Sequence, residues 1–181
     1  MNSRALLLLL VSLLAGCGFH LAGTRPIPEP LQTVFIDSSQ KYQGSEPPVE
    51  TALRALLQRR GAQVLDNAGE AGAVIKLWNT SEARQVLSIG ADGKALEYQI
   101  TSQVSYSVAG KGKQLVQPDT ISLTRSYTYN PQAALAEEIK EERLRDYLQS
   151  ELADLLLLRL EATLGPKAGA PTMPPDAVPR S

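Results

Sequence analysis

Between Glu97 and Val108 the residues alternate in character, and this stretch constrains the fold more than any other. Tyr98, Ile100, Val104, Tyr106 and Val108 fall on even positions, while Glu97, Gln99, Thr101, Gln103, Ser105 and Ser107 fall on odd ones. Successive side chains of a strand point to opposite faces, so the pattern predicts a strand with one buried and one wet face. Gly90-Ala91-Asp92-Gly93 precedes it and Gly110-Lys111-Gly112-Lys113 follows it. Both read as turns, and Asp-Gly between two strand-like runs is a hairpin signal. Upstream, Ala73 to Trp78 is β-prone, and Arg84 to Ile89 continues it across a polar break; Trp78 reads as core or sheet packing. Downstream, Ile121, Leu123, Tyr127 and Tyr129 alternate with Ser122, Thr124, Ser126 and Thr128, with Arg125 on the odd face. Thr33 to Ile36 is a short β-branched and aromatic run, a first strand.

Two helices complete the pattern. Pro47 and Pro48 suit a first turn, with Ser45 as N-cap. Val49, Leu53, Leu56 and Leu57 then share one face, and Gly61 after Arg59-Arg60 stops the helix with cations at its negative end. Asn130-Pro131 reads as an N-cap with proline at N1 opening a long final helix. Its apolar stripe is Ile139, Leu144, Leu148, Leu152, Leu155, Leu156 and Leu160, and Gly165-Pro166 ends it. Running from Pro131 it would span about 50 Å, longer than a small sheet is wide, so a bend or a later start is expected. The predicted fold is α+β in the order β-α-β-β-β-α. Its four-stranded sheet carries two amphipathic helices on one face and leaves the other face polar and exposed.

The N-terminus sets the compartment. Arg4 gives a minimal positive region, Ala5 to Leu14 an apolar stretch, and Leu14-Ala15-Gly16-Cys17 a small-residue cleavage site abutting a cysteine. The run is too short to span a bilayer, which needs about 20 residues. It reads as a removable lipoprotein signal, with Cys17 lipidated after cleavage. Several acyl chains at about 0.8 kcal/mol per buried methylene anchor stably where one does not. Gly18, where aspartate commonly signals inner-membrane retention, favours the outer membrane. The expected organisation is signal peptide 1–16, lipidated tether 17–31, one domain 32–164 and a disordered proline-rich tail 165–181.

The remaining chemistry is sparse. Cys17 is the only cysteine, so no intramolecular disulfide forms, and a formal charge of −1 argues against nucleic-acid binding. The sole histidine, His20, lies in the tether, which leaves no Ser-His-Asp arrangement and no histidine metal site. No cofactor is implied. Glu137, Glu138, Glu141 and Glu142 read as a solvated, dipole-favoured first turn. Gly110 to Lys113 is no phosphate loop, because no helix follows; it is a basic hairpin tip.

Assembled, the chain resembles the LPS-assembly lipoprotein LptE family from the lipobox to about Leu164. The marks are Cys17-Gly18-Phe19-His20-Leu21, Glu97-Tyr98-Gln99, Arg125-Ser126-Tyr127, Asn130-Pro131-Gln132 and the leucine-rich last helix. The resemblance implies a non-enzymatic outer-membrane lipoprotein facing the periplasm. It would sit within the lumen of the outer-membrane β-barrel LptD as a 1:1 complex, assist the barrel's assembly and help deliver lipopolysaccharide to the outer leaflet. Some members carry basic residues credited with contacting lipopolysaccharide in the hairpin before Glu-Tyr and just after Asn-Pro-Gln. Here those places read Ala91-Asp92-Gly93-Lys94 and Ala136-Glu137. If lipopolysaccharide is contacted directly, the candidates are Lys94, and Lys111 with Lys113 at the next turn; the alternative is that all three are solubilising surface lysines. The rivals are a lipid or lipoprotein carrier, which needs an apolar hollow, and a periplasmic hydrolase, which the missing histidine disfavours.

Overall fold

The computed structural model describes residues 26–38 and 48–165. Strand β1 is Thr33–Ser38, helix α1 Pro48–Arg59, β2 Gln63–Leu65, β3 Ala73–Ile89, β4 Ala95–Gly110, β5 Lys113–Thr128 and helix α2 Ala134–Leu164. They form one mixed sheet in the order β2-β1-β3-β4-β5, parallel at β2/β1 and β1/β3 and antiparallel through the β3–β4–β5 meander. The α+β class and the two helices on one face stand as expected. The strand count does not: β2 makes five. The three-residue β2 follows directly on α1, where the chain returns extended along β1; the Gln63 N–H donates to the Gln32 carbonyl at 2.7 Å. Too short to show a period, it is invisible to pattern reading.

Helix α1 ends as its sequence requires. Gly61 takes φ of +88°, the Gly61 N–H donates to the Gln58 carbonyl, and the Ala62 N–H donates to the Leu57 carbonyl at 2.9 Å. This Schellman pair satisfies carbonyls the helix leaves open. The expected Ser45 cap lies outside the described residues. Helix α2 starts late: Asn130 caps a 3-10 turn at Pro131–Ala133, its side chain accepting from the Gln132 N–H, and the α-helix opens at Ala134.

The main core is a filled helix-on-sheet layer. Leu53 and Leu57 of α1, Leu152, Leu156 and Leu160 of α2, and Ile75, Leu77, Val104 and Ile121 of the sheet are all buried. Ile27 and Leu31 are buried there too, so the folded unit begins before Gln32 and the last residues of the expected tether are docked. Leu31 sits on a 3-10 turn, and burying its side chain outweighs the freedom an extended linker would keep. The lipobox, Cys17, His20 and the tail after Gly165 lie outside the described residues.

The long strands carry a second, smaller core beyond β1. It holds Ile100, Tyr127 and Leu148, with Tyr98, Leu123, Tyr129 and Leu144 packed around it. Between the two cores Ser102 interrupts the apolar face of β4 and is fully buried. Ile139 does not join the stripe: it is 45% exposed, and the sheet-facing position of that turn belongs to Glu141, whose side chain is 12% exposed.

Candidate functional site at the distal end of the sheet

A bulge in β3 builds this end. Ala73, Ile75 and Leu77 face the helices in register with β4, but the pairing slips between Trp78 and Ser81, where Asn79 adopts φ of 51°. Asparagine tolerates this left-handed conformation better than most residues. One extra residue exchanges the faces of everything after it. Glu82 pairs with Ser102 and Arg84 with Ile100, so both charges turn toward α2 instead of solvent.

There they meet carboxylates and tyrosines. The Arg84 guanidinium lies 3.6 Å from the centre of the Tyr98 ring, donates through Nε to the Tyr127 hydroxyl at 3.1 Å, and pairs with Glu141 at 3.3 Å. Burial opposes that charge, but the Tyr127 hydroxyl and the Glu141 carboxylate outweigh it and hold the Arg84 pKa above its ordinary value. Glu141 also accepts from Tyr127 and Arg145, and Arg145 reaches Glu82 at 2.8 Å. Tyr98 stacks on Tyr127 at 5.8 Å and meets Tyr129 edge-on at 5.3 Å. Beside the cluster lies an open groove of about 720 Å³ lined by Arg84, Tyr129, Leu135, Glu138, Glu142 and Arg145.

The acidic run of α2 is therefore not uniformly solvated. The Glu141 side chain is only 12% exposed because the bulge delivers Arg84 beneath it, a long-range event that a helix-face reading misses. Tyr98 and Tyr127, parts of two separate motifs, come together here. Arg84, Glu82 and Arg145 escaped the sequence reading; a charge at a strand position with no apolar alternation was the only local signal.

Glu141→Gln keeps the side-chain shape and leaves two guanidiniums facing each other. Exposed pairs contribute under about 1 kcal/mol and breaking buried ones costs about 3–5, so a loss of about 1–2 kcal/mol is expected in a urea titration of this half-exposed network. Alkali should act through Tyr127. Burial, and next the Glu141 carboxylate it donates to, push its pKa up to about 12. The folded state thus holds this proton more tightly than the unfolded chain. Its stabilisation is complete below about pH 10 and is lost as pH climbs to about 12. Urea midpoints for Tyr127→Phe should fall less steeply over that window than those of the natural chain; parallel slopes would refute the assignment.

The sequence-predicted lysines do not converge. Lys94 is at the β3–β4 tip, where Nζ lies 3.4 Å from Asp92. Lys111 and Lys113 are at the β4–β5 turn, which is of two residues with positive φ at Lys111 and Gly112, and Lys111 lies 3.6 Å from Glu29. At about 3.3 Å per residue, β4 holds the two ends about 50 Å apart. All three are exposed. Among the described residues no group of three His, Cys, Asp or Glu could hold a metal, and no helix is long and apolar enough to cross a membrane.

A family model described as LptE: Lipopolysaccharide-assembly matches residues 31–160. The LPS-assembly lipoprotein LptE of Pectobacterium atrosepticum is 33% identical over 153 residues, 84% of this chain and 80% of that protein. The crystal structure of rare lipoprotein B from Shewanella oneidensis superposes with a TM-score of 0.60 at 28% identity, covering 72% of this chain and 94% of that one. A solution structure of a lipoprotein B from Nitrosomonas europaea shares the fold with a TM-score of 0.65 at 20% identity, over 80% and 91% of the two chains. With the family match covering residues 31–160 and a relative 33% identical over 84% of the chain, this chain belongs to the LptE lipopolysaccharide-assembly family.

Proposed function

We propose that this chain is a non-enzymatic outer-membrane lipoprotein that docks in the lumen of the LptD β-barrel, helps the barrel assemble and assists delivery of lipopolysaccharide to the outer leaflet. Family membership supports lipopolysaccharide assembly. The observation that carries the docking is the sheet's open face. Gln99, Thr101, Gln103, Ser105 and Ser107 of β4 lie beside Thr120, Ser122, Thr124, Ser126 and Thr128 of β5. Thr101 and Thr124 hydrogen-bond across the strands at 3.0 Å, as do Ser105 and Thr120 at 2.9 Å. This hydroxyl- and amide-rich surface, which also carries Glu97 beside Thr128 and Lys76 beside Ser107, suits the polar interior of an outer-membrane barrel and gives a lipid little to hold. The leucine-filled core counts against a carrier, which needs a hollow.

Tagged, full-length protein purified in mild detergent from outer membranes should bring down one large barrel in equal amount, stable to high salt. Recovery of a lipid with no barrel would overturn the reading.

Lipopolysaccharide contact at Lys94, Lys111 and Lys113 belongs to the same proposal, since lysine meets lipid A phosphate as a point charge. Because the two ends are far apart, Lys94→Gln and the Lys111→Gln, Lys113→Gln pair should act additively. Each exposed charge is expected to contribute about 0.5–1 kcal/mol at low salt and less as screening rises. Unchanged affinity of the triple variant at low salt would reject these residues and leave the barrel contact.

A further inference from the structure

We propose that the first half of α2, from Ala134 to Leu148, is a latch that opens from the distal sheet as one unit while the main core stays closed. The inference stands whether or not the chain docks in a barrel. Every buried residue of α2 is Leu148 or later, and none from Ala134 to Tyr147 is buried. Nor is the start of the helix fixed: Ala133 at the N-cap makes no side-chain cap, and Leu135 and Ile139 are exposed. Charge and hydrogen bonding hold this half down instead. Glu141 meets Arg84 and Tyr127, Arg145 meets Glu82, and Lys140 Nζ donates to the Thr128 carbonyl at 2.7 Å. Such contacts replace good hydration and gain little, whereas Leu152, Leu156, Leu157 and Leu160 hold the second half by burial.

A polar belt separates the two halves. Across the sheet at this level Glu82 pairs with Ser102, and Ser102 with Leu123. Leu123 is the one described side chain packed against both cores. The hydrogen bonds of the belt are long. Ser102 Oγ donates to Glu82 at 3.4 Å, and Gln149 Nε2 lies 3.5 Å from each of them, beyond the usual range of about 2.7–3.2 Å. Gln149 Oε1 is buried yet accepts no hydrogen bond among the described residues, and Arg145 Nε makes none despite lying 2.8 Å from Glu82. Opening the domain here forfeits little, because water satisfies these groups better than the closed structure does. Contiguous segments with such weak attachments open below the global unfolding free energy. The opening uncovers Tyr98, Ile100 and Tyr127, an aromatic and apolar strip that lies under Leu144 and Leu148 in the closed domain.

Residue-resolved hydrogen exchange on the full-length protein in mild detergent tests the latch. Amides 139–148 should share one protection factor, about a hundredfold below that of amides 152–163, with the step near Gln149. Two variants then identify the opening. Ile75 is fully buried in the main core. Ile75→Val is mild enough to keep the fold and should lower protection of 152–163 by about two- to tenfold. It should leave 139–148 unchanged, because a latch that opens with the main core intact carries the same defect open and closed. Glu141→Gln should lower protection of 139–148 by about tenfold, because its contacts exist only in the closed state. Equal protection along α2, or an equal loss in both segments from Ile75→Val, would show that the domain opens all or none. A steady gradient from Ala134 inward would show simple fraying of a helix end. Either result overturns the latch.

Discussion

A Leu152→Asp chain is expected to lose its cooperative thermal transition and to accumulate poorly. Leu152 has no exposure and lies in the main core, in the layer where α2 covers the sheet. Removing a buried leucine side chain already costs about 2–5 kcal/mol through lost transfer energy and the cavity left behind. The introduced carboxylate adds the cost of a buried charge with no partner, which either stays ionised at several kcal/mol or takes up a proton. Against a total of about 5–15 kcal/mol for a domain, that is enough to empty the native state. Leu158→Asp on the same helix is the control: Leu158 is 62% exposed and the change should stay within about 0.5 kcal/mol. Circular-dichroism melts of the two variants decide it. If Leu152→Asp melts within about two degrees of the natural chain, a shift worth well under 1 kcal/mol, α2 does not cover the sheet as described.

Cys17→Ser is expected to abolish lipid attachment altogether. It removes the chain's only thiol and with it the acceptor for the first acyl group. With no chains buried at about 0.8 kcal/mol per methylene, the protein should fractionate as unprocessed precursor or as soluble material. The described domain should keep its melting behaviour, because its core is built from residues between Ile27 and Leu164. Metabolic labelling with a fatty acid, followed by membrane fractionation, reads both effects. Label retained by Cys17→Ser would place the lipid elsewhere and overturn the reading of Leu14-Ala15-Gly16-Cys17 as a lipoprotein signal.

Some of the distal site was legible in advance. Tyr98 and Tyr127 stood on the buried parity of their strands, and Asn130-Pro131 marked a helix start, because each depends on a period or a cap within a few residues. Ile139 was misplaced for an instructive reason. It lies nine residues before Leu148, about 180° round the helix at about 100° per residue, whereas Glu141, seven residues before Leu148, holds the sheet-facing position.

What the sequence by itself determined was the kind and order of the large elements. Alternation made β3, β4 and β5, apolar spacing made α1 and α2, and Gly61, Asn130 and the Lys111-Gly112 turn set where chain segments stop and reverse. Tertiary structure alone decided which residues share a site. A single extra residue at Asn79 exchanged the faces of β3 and carried Arg84 and Glu82 beneath Glu141 and Arg145. The three-residue β2 exists only because β1 is there to pair with it. Register and edge exposure are properties of pairs of distant segments, so no window on one strand contains them, whereas period and turn chemistry are complete within a few neighbouring residues.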